Sequence, residues 1–362
     1  MKKSKNNCRT ESDSMGKVKI PKSALYGPQT QRAIDNFDIS DLVMPKEFII
    51  SVLLIKKAAA KANYKLKLID KKISTAITNS AEYLISNYDQ ENFPVDVFQT
   101  GSGTSTNMNI NEVISNVAKT KFKINVHPND HVNMSQSSND VIPTAINHCA
   151  YFLATSKLLP SLTILSKDIG IKSKKLNKTV KTGRTHLMDA MPITFGQELS
   201  GWKAQIDDNI SSLKNCLNRL KRLPIGGTAV GTGINAHKLF AKEFLTAINK
   251  ESRVKYVGKK NKFEGLSSQD DAVLYSSHLK SIAVSLIKIA NDLRWMNSGP
   301  DSGISDIKLK ALQPGSSIMP GKVNPVISES SIMACSQVIG NDTTIMICGQ
   351  SGNFQLNVTL SI

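Results

Sequence analysis

The chain has 362 residues, with 46 Lys+Arg against 29 Asp+Glu, so its formal charge is +17 and its pI about 9.6. At 40% hydrophobic content it can bury a large core at roughly 100–200 residues per domain, which excludes a disordered tail and a small disulfide-stapled module. No window offers the ~18–20 uncharged apolar residues of a membrane span, the start MKKSKNNCRTESDS lacks the apolar core of a signal peptide, and the expected address is the cytosol.

Taken in chain order, residues 1–45 are mixed and polar and predict an extended arm. A smaller helical domain follows, with helical signal from about Lys46, to a boundary near 135; the domains expected are therefore 1–135 and 136–362. Two polar stretches, 100–112 (TGSGTSTNMNINE) and 126–140 (VHPNDHVNMSQSSND), are read as loops. Apolar residues at alternating steps of three and four then predict a helix over about 143–178, kinked or divided at Pro160. After the polar run 182–192 (TGRTHLMDAMP), a stripe from Phe195 through Trp202, Ile206 and Leu213 to Leu220 predicts a helix over 194–222. The glycine-dense 226–235 reads as a tight connection between helices. A further helix over 272–296 carries two stripes, Leu279–Ile282–Leu286–Ile289 and Ala283–Ile287–Ala290, as a helix buried inside a bundle requires. Helices of this length packed side by side predict a mainly all-α chain built on a long antiparallel bundle.

Chemistry belongs in the polar stretches, whose Gly, Ser, Thr and Asn favour turns that point N–H groups and hydroxyls outward. The run GSSIMPGKVNP (315–325) has the composition of a carboxylate or phosphate cradle. Lys322 supplies charge, Asn324 a directional donor, and Gly315 and Gly321 close backbone approach; the spacing is not that of a P-loop. Of six histidines, His127 and His186 lie in polar loops and are the acid/base candidates, while His148, His237 and His278 suit surface or core roles. No HxH or HExxH pattern points to a metal, and five cysteines without a CxxC read as buried small apolar residues. The densest basic stretches, 167–181 and 253–262, lack interleaved aromatics, so a solvated basic face is preferred over a nucleic-acid footprint.

As an ordered set, TGSGTSTNMNINE, HPNDHVNMSQSSND, GRTHLMDA, GGTAVGTGIN and GSSIMPGKVNP resemble the class II fumarase branch of the fumarase/aspartase superfamily, from ESDSMG at 11–16 to SGNFQLNV at 351–358. His186 and Gly321 stand where aspartases usually carry glutamine and alanine. The resemblance implies hydration of fumarate to L-malate without metal or organic cofactor. It makes Ser316 the base, Lys322 and backbone N–H groups its support, and His186, paired with Glu329, the handler of the departing or arriving water. Ser102, Gly103, Thr104, Ser137, Ser138, Asn139, Thr185, Ser317, Lys322, Val323 and Asn324 match positions that hold the substrate's carboxylates. His127, Pro128, Asn129 and Asp130 match a secondary dicarboxylate site.

The resemblance also implies a homotetramer whose sites are shared between subunits, active only when assembled, with no nucleic-acid or membrane partner. The chain departs from the pattern at Gln355, where glutamate is usual, and at Asp301, where arginine is usual, and TLSI replaces a further bundle helix and a C-terminal domain. The competing expectations are an aspartate ammonia-lyase, an inactive truncated relative with a structural or binding role, and a nucleic-acid binder.

Overall fold

A computed structural model describes residues 8–362. In chain order it contains β1 (Cys8–Asp13), β2 (Gly16–Pro21), α1 (Pro28–Asn36), α2 (Lys46–Lys65), α3 (Lys71–Ser86), α4 (Thr104–Lys121), α5 (Ser138–Leu153), α6 (Leu159–Lys175), β3 (Val180–Thr185), β4 (Met188–Thr194), α7 (Phe195–Leu220), β5 (Arg222–Leu223), α8 (Phe240–Ser252), β6 (Val257–Gly258), α9 (Lys262–Ser267), α10 (Asp270–Met296), α11 (Val326–Gly349), β7 (Gly352–Asn353) and β8 (Leu356–Asn357). The strands form four separate two-stranded pairs, so the mainly helical class expected from sequence is the one observed. The chain divides into two compact units: residues up to Phe152 with Arg219–Ala272 and Ile347–Ile362, and Leu153–Asn218 with Val273–Met346. Position 135, where a domain boundary is expected, lies inside the first unit.

In the first unit α2 is the hub, packed on α3 and α8. Ile49, Val52, Leu53 and Ile55 of α2, Ile77 and Leu84 of α3, and Phe240, Phe244 and Ile248 of α8 are buried. Each such side chain contributes about 1.5–3 kcal/mol. The described part of the expected arm is instead an antiparallel hairpin, β1–β2, and residues 1–7 of that expectation lie outside the described residues. Arg9 explains the hairpin's seat, since its guanidinium donates to the carbonyls of Pro21 (2.8 Å), Ala24 (2.7 Å) and Tyr26 (2.7 Å).

Helix α1 has no capping side chain of its own. The buried Glu112 of α4 takes that role, accepting from the N–H groups of Gly27 (2.9 Å), Gln29 (2.9 Å) and Thr30 (3.1 Å) and from the Thr30 hydroxyl (2.6 Å). A carboxylate there both pairs orphan donors and complements the helix dipole. Residues 104–112, read from sequence as loop, are the first half of α4. Their Asn107, Asn109, Asn111 and Glu112 are 0–4% exposed, so polarity here signals an internal hydrogen-bond network.

The second unit is a helix bundle, and its side-chain pairings give the direction of its helices. Ser166 of α6 donates to Asp207 of α7 and Ser173 to the carbonyl of Gly196, an antiparallel order. Trp202 of α7 meets Asp292 of α10 (3.1 Å) and Asn209 meets Ser285 (2.9 Å), again antiparallel. Ser276 and Lys280 of α10 reach Asp342 of α11. The stripe predicted for α7 is buried at Leu199, Trp202, Ile206, Leu213, Leu217 and Leu220, and α10 buries Ile282, Ala283, Ile289 and Ala290.

The helix expected over about 143–178 is divided just before Pro160, with α5 ending at Leu153 and α6 beginning at Leu159. Residues 154–158 form one π-helical turn, and Pro160 sits in the first turn of α6 directly after it, where the wider turn accommodates the ring and the missing N–H. The helical run Ser138–Lys175 that results is, by length and composition alone, long and apolar enough to cross a membrane, but every 18-residue window in it includes Asp140, Lys157 or Lys167, so it is not the uncharged window whose absence the sequence indicates. Its first half carries the buried polar residues Asp140, Thr144, Asn147 and His148.

Candidate active site

Thr185 and His186 are carried by the β3–β4 hairpin of the second unit. Thr185 pairs with Met188 across a two-residue turn in which His186 (φ 56°) and Leu187 (φ 62°) are both left-handed. This mirror-image turn matches strand twist, but non-glycine side chains enter it only when the surrounding structure fixes them there. The hairpin's base supplies that constraint. Arg184 grips Asp306 through two N–H groups (2.6 and 3.3 Å), and Lys181, buried, pairs with Glu198 (2.7 Å) and Asp306 (3.3 Å). Burial alone would push the Asp306 carboxyl up, but Arg184 and Lys181 outweigh it and hold it below its ordinary value. Thr185 and His186 themselves are exposed at the tip.

The 315–325 loop closes on itself. Gly315 N–H donates to the Lys322 carbonyl (2.7 Å), and the Asn324 side-chain amide donates to the Gly315 carbonyl (2.7 Å), so at least one hydrogen of the donor expected to face a ligand holds the loop instead. A Cβ at Gly315 would lie 2.8 Å from the Asn324 nitrogen and 2.9 Å from the Lys322 oxygen, which excludes any larger residue. The half-buried Ser316 is the pivot, its Oγ accepting N–H bonds from Ile318 (3.2 Å) and Met319 (3.1 Å). Two donors aimed at one hydroxyl oxygen favour its deprotonated state. Ser317, Lys322 and Val323 are exposed beside it, and Glu329 lies in the first turn of α11. Among the described residues no hydrogen bond or ion pair within this chain joins His186, Glu329 and Ser316.

The first unit gathers the other candidates at two helix starts. Ser102 and Thr104 share a hydroxyl–hydroxyl bond (2.7 Å) across Gly103, which begins α4 at φ 70°. Ser137 receives the Asn139 N–H (3.2 Å), Ser138 receives the Asn107 amide (2.9 Å), and Asn139 donates to the Ala229 carbonyl (2.7 Å), tying this turn to the 226–235 loop. Asp140 stitches both: one carboxylate oxygen accepts from Ser137 (3.0 Å), the other from Gly226 (2.8 Å) and Thr228 (2.9 Å). Burial pushes its carboxyl up to about 6, against the downward pull of those three N–H groups and of Lys262. The secondary-site candidates form one turn in which His127 Nδ1 accepts the Asp130 N–H (3.1 Å) and Pro128 starts the helical segment. A 380 Å³ cavity beside it is lined by Asn129, Asp130, Asn133, Ser135, Gln136 and Asn235, among others.

Sequence reasoning passed over Asp140, Asn107 and Lys56. The last is a fully buried lysine inside the apolar run FIISVLLIKKAAAKA, and that placement was the available signal. Among the described residues no group of three or more His, Cys, Asp or Glu is arranged to hold a metal. Cys149, Cys216 and Cys335 are buried as expected, whereas Cys8 and Cys348 are half-buried.

A family model described as lyase matches residues 16–340. The chain is 53% identical to a class II fumarate hydratase of Xylella fastidiosa over 355 residues, 98% of this chain and 75% of that protein. It is 50% identical over 354 residues to "Fumarate hydratase class II 2" of Pseudomonas aeruginosa, covering 98% and 77%. The class II fumarase of Schistosoma mansoni superposes with a TM-score of 0.94 at 38% identity, covering 98% of this chain and 79% of the other. A fumarate lyase:delta crystallin structure of Brucella melitensis, bound to cobalt, gives 0.92 at 41% identity.

Proposed function

Since the chain belongs to the lyase family, among its class II fumarate hydratases, we propose how its own residues divide the reversible hydration of fumarate to L-malate. The chemical obstacle is a proton on the carbon next to a carboxylate, whose removal loads more negative charge onto an anion. Only donors fixed in advance lower that barrier. Ser316 is the base. It takes the proton from malate, the electron pair left on carbon delocalises into the adjacent carboxylate as an aci-carboxylate, and the carbon–oxygen bond then breaks to give fumarate. His186 delivers a proton to the hydroxyl as it leaves as water, and Glu329 steadies the charge on the imidazole.

The observation that carries this reading is the pair of N–H groups, from Ile318 and Met319, directed at Ser316 Oγ. Lys322, in the same loop, adds positive charge to the alkoxide. Ser102, Gly103, Thr104, Ser137, Ser138, Asn139, Thr185, Ser317, Val323 and Asn324 bind and orient the two substrate carboxylates. His127, Pro128, Asn129 and Asp130 form the secondary dicarboxylate site.

The site is completed by other copies of the chain in a cytoplasmic homotetramer. The exposure of Leu187 (62%), Met188 (70%), Ile318 (84%) and Met333 (67%), beside or near the proposed catalytic groups, supports this, because apolar side chains in such positions call for a partner. The test is turnover, followed as loss of fumarate's ultraviolet absorbance. Replacing Ser316 by alanine lowers kcat by about 10²–10⁴-fold, as loss of a proton-transfer group does, and His186→Asn lowers it comparably. Full activity in Ser316→Ala excludes the serine as base, and ammonia release from aspartate by the parent, without fumarate turnover, replaces the hydratase reading with a lyase of the other branch.

A further inference from the structure

Lys56 stands in the middle of α2 with 0% of its surface exposed, a place where an ammonium persists only if it is fully bonded. Its Nζ donates to Asn133 Oδ1 (2.9 Å) and Gln136 Oε1 (3.1 Å). Both acceptors belong to the irregular stretch between the His127–Val132 turn and α5, and both line the 380 Å³ cavity. Asn133 Oδ1 also receives the amides of Asn107 (3.2 Å) and Asn111 (3.3 Å), and the Asn107 amide nitrogen reaches Ser138 Oγ (2.9 Å). Gln136 turns its own amide back to the carbonyls of Val132 and Met134 (3.0 Å each), while the Asn133 amide meets the Gln136 carbonyl (3.2 Å). This stretch has no strand partner, so two amide side chains, both facing one ammonium, hold its shape.

We propose that Lys56 is a positioning residue of the hydration reaction: through Asn133 and Gln136 it fixes the turn that presents Ser137, Ser138 and Asn139 to a substrate carboxylate. The inference rests on the role given to those three residues under the proposed function. A charged donor suits the task because charge-assisted bonds are about twice as strong as neutral ones, and because its field favours an anion bound at that turn. Burial pushes the ammonium down to about 7, offset by the attraction of Asp140, so the charge is held at a cost that neutral packing would avoid. The cluster is already short of donors, Asn107 Oδ1 and Asn111 Oδ1 being buried with none, and removing the ammonium also takes from Gln136 Oε1 its charged donor.

The experiment measures hydrogen exchange across 132–140 without substrate, and kcat and KM for malate, in the full chain and in Lys56→Met. The expected result is faster exchange confined to 132–140 and a KM raised about 10- to 100-fold, the loss of one charge-assisted bond, with kcat within about threefold. A folded Lys56→Met with parental KM overturns the proposal, as does exchange that rises equally throughout α2 and α3, which a merely structural lysine produces. If Lys56→Met does not fold, Gln136→Leu keeps the ammonium bonded to Asn133 and must shift KM in the same direction; an unchanged KM there overturns the proposal. A parent without turnover sinks the hydratase reading alone, and parental exchange at 132–140 in Lys56→Met then rejects the positioning role.

Discussion

Gly103 begins α4 between the two hydroxyls of Ser102 and Thr104, and two independent costs oppose any side chain there. Its φ of 70° is a conformation that costs an L-residue about 1–2 kcal/mol. A Cβ would also lie 2.9 Å from Cγ1 and 3.2 Å from Cδ1 and Cγ2 of Ile142, itself 0% exposed, and overpacking of that kind costs about 1–3 kcal/mol. Gly103→Ala is therefore expected to destabilise the chain by about 2–5 kcal/mol. The two parts separate in a double-mutant cycle, since Ile142→Ala removes all three crowding atoms. Alone it costs about 2–5 kcal/mol for the cavity. Combined with Gly103→Ala it must be milder than the sum of the singles by the steric part, about 1–3 kcal/mol, leaving the backbone part uncorrected. Equilibrium urea unfolding followed by circular dichroism measures the four corners. Additivity within about 0.5 kcal/mol refutes the steric account and assigns the whole cost to the backbone.

Two other perturbations read single groups. His148 is buried against Ser51 Oγ (3.0 Å), and burial lowers its imidazole to about 4 from an ordinary 6.5. Because the unfolded chain binds that proton first, stability from the neutral ring is present above pH 6.5 and lost as pH falls toward 4, by about 1.4 kcal/mol per unit; His148→Leu should flatten that stretch of the stability–pH curve, and an unchanged slope rejects the assignment. Glu112→Gln turns an amide NH₂ toward donors that now meet a carboxylate, so α1 should open locally, with hydrogen exchange at 28–36 accelerated by about 2–4 kcal/mol of lost protection while α3 keeps its own.

Periodicity in the sequence locates α7 and α10 to within two residues because one or two faces of each are buried and the rest are wet. It misses α11, whose apolar residues lie all round it, with Ile327, Met333 and Met346 exposed, so no stripe stands out. It misses the start of α4 for the opposite reason, because Asn107, Asn109 and Asn111 imitate a loop while serving an interior network. The β3–β4 hairpin escapes notice because His186 and Leu187 occupy a turn that ordinarily announces itself with Asn-Gly. Resemblance names the residues that would touch substrate, but the groups that hold them lie far off in sequence. Asp306 steadies Arg184 across 122 positions, and Lys56 reaches Asn133 across 77; such separations leave no local pattern to read.

The first unit is assembled from three stretches of chain, and the third, Ile347–Ile362, hydrogen-bonds through Leu360 N–H to the carbonyl of Gly101, one residue before Ser102. On the ribosome that stretch emerges only after the entire second unit has been made. The turn before α4 and helix α9, against which this last stretch packs, must therefore wait while the 74 residues Val273–Met346 of the second unit are synthesised. Contacts of such long sequence separation slow folding and prolong the exposure of apolar surface, so the seat of Ser102 is set late in the protein's birth and is where crowding by other nascent chains does most harm.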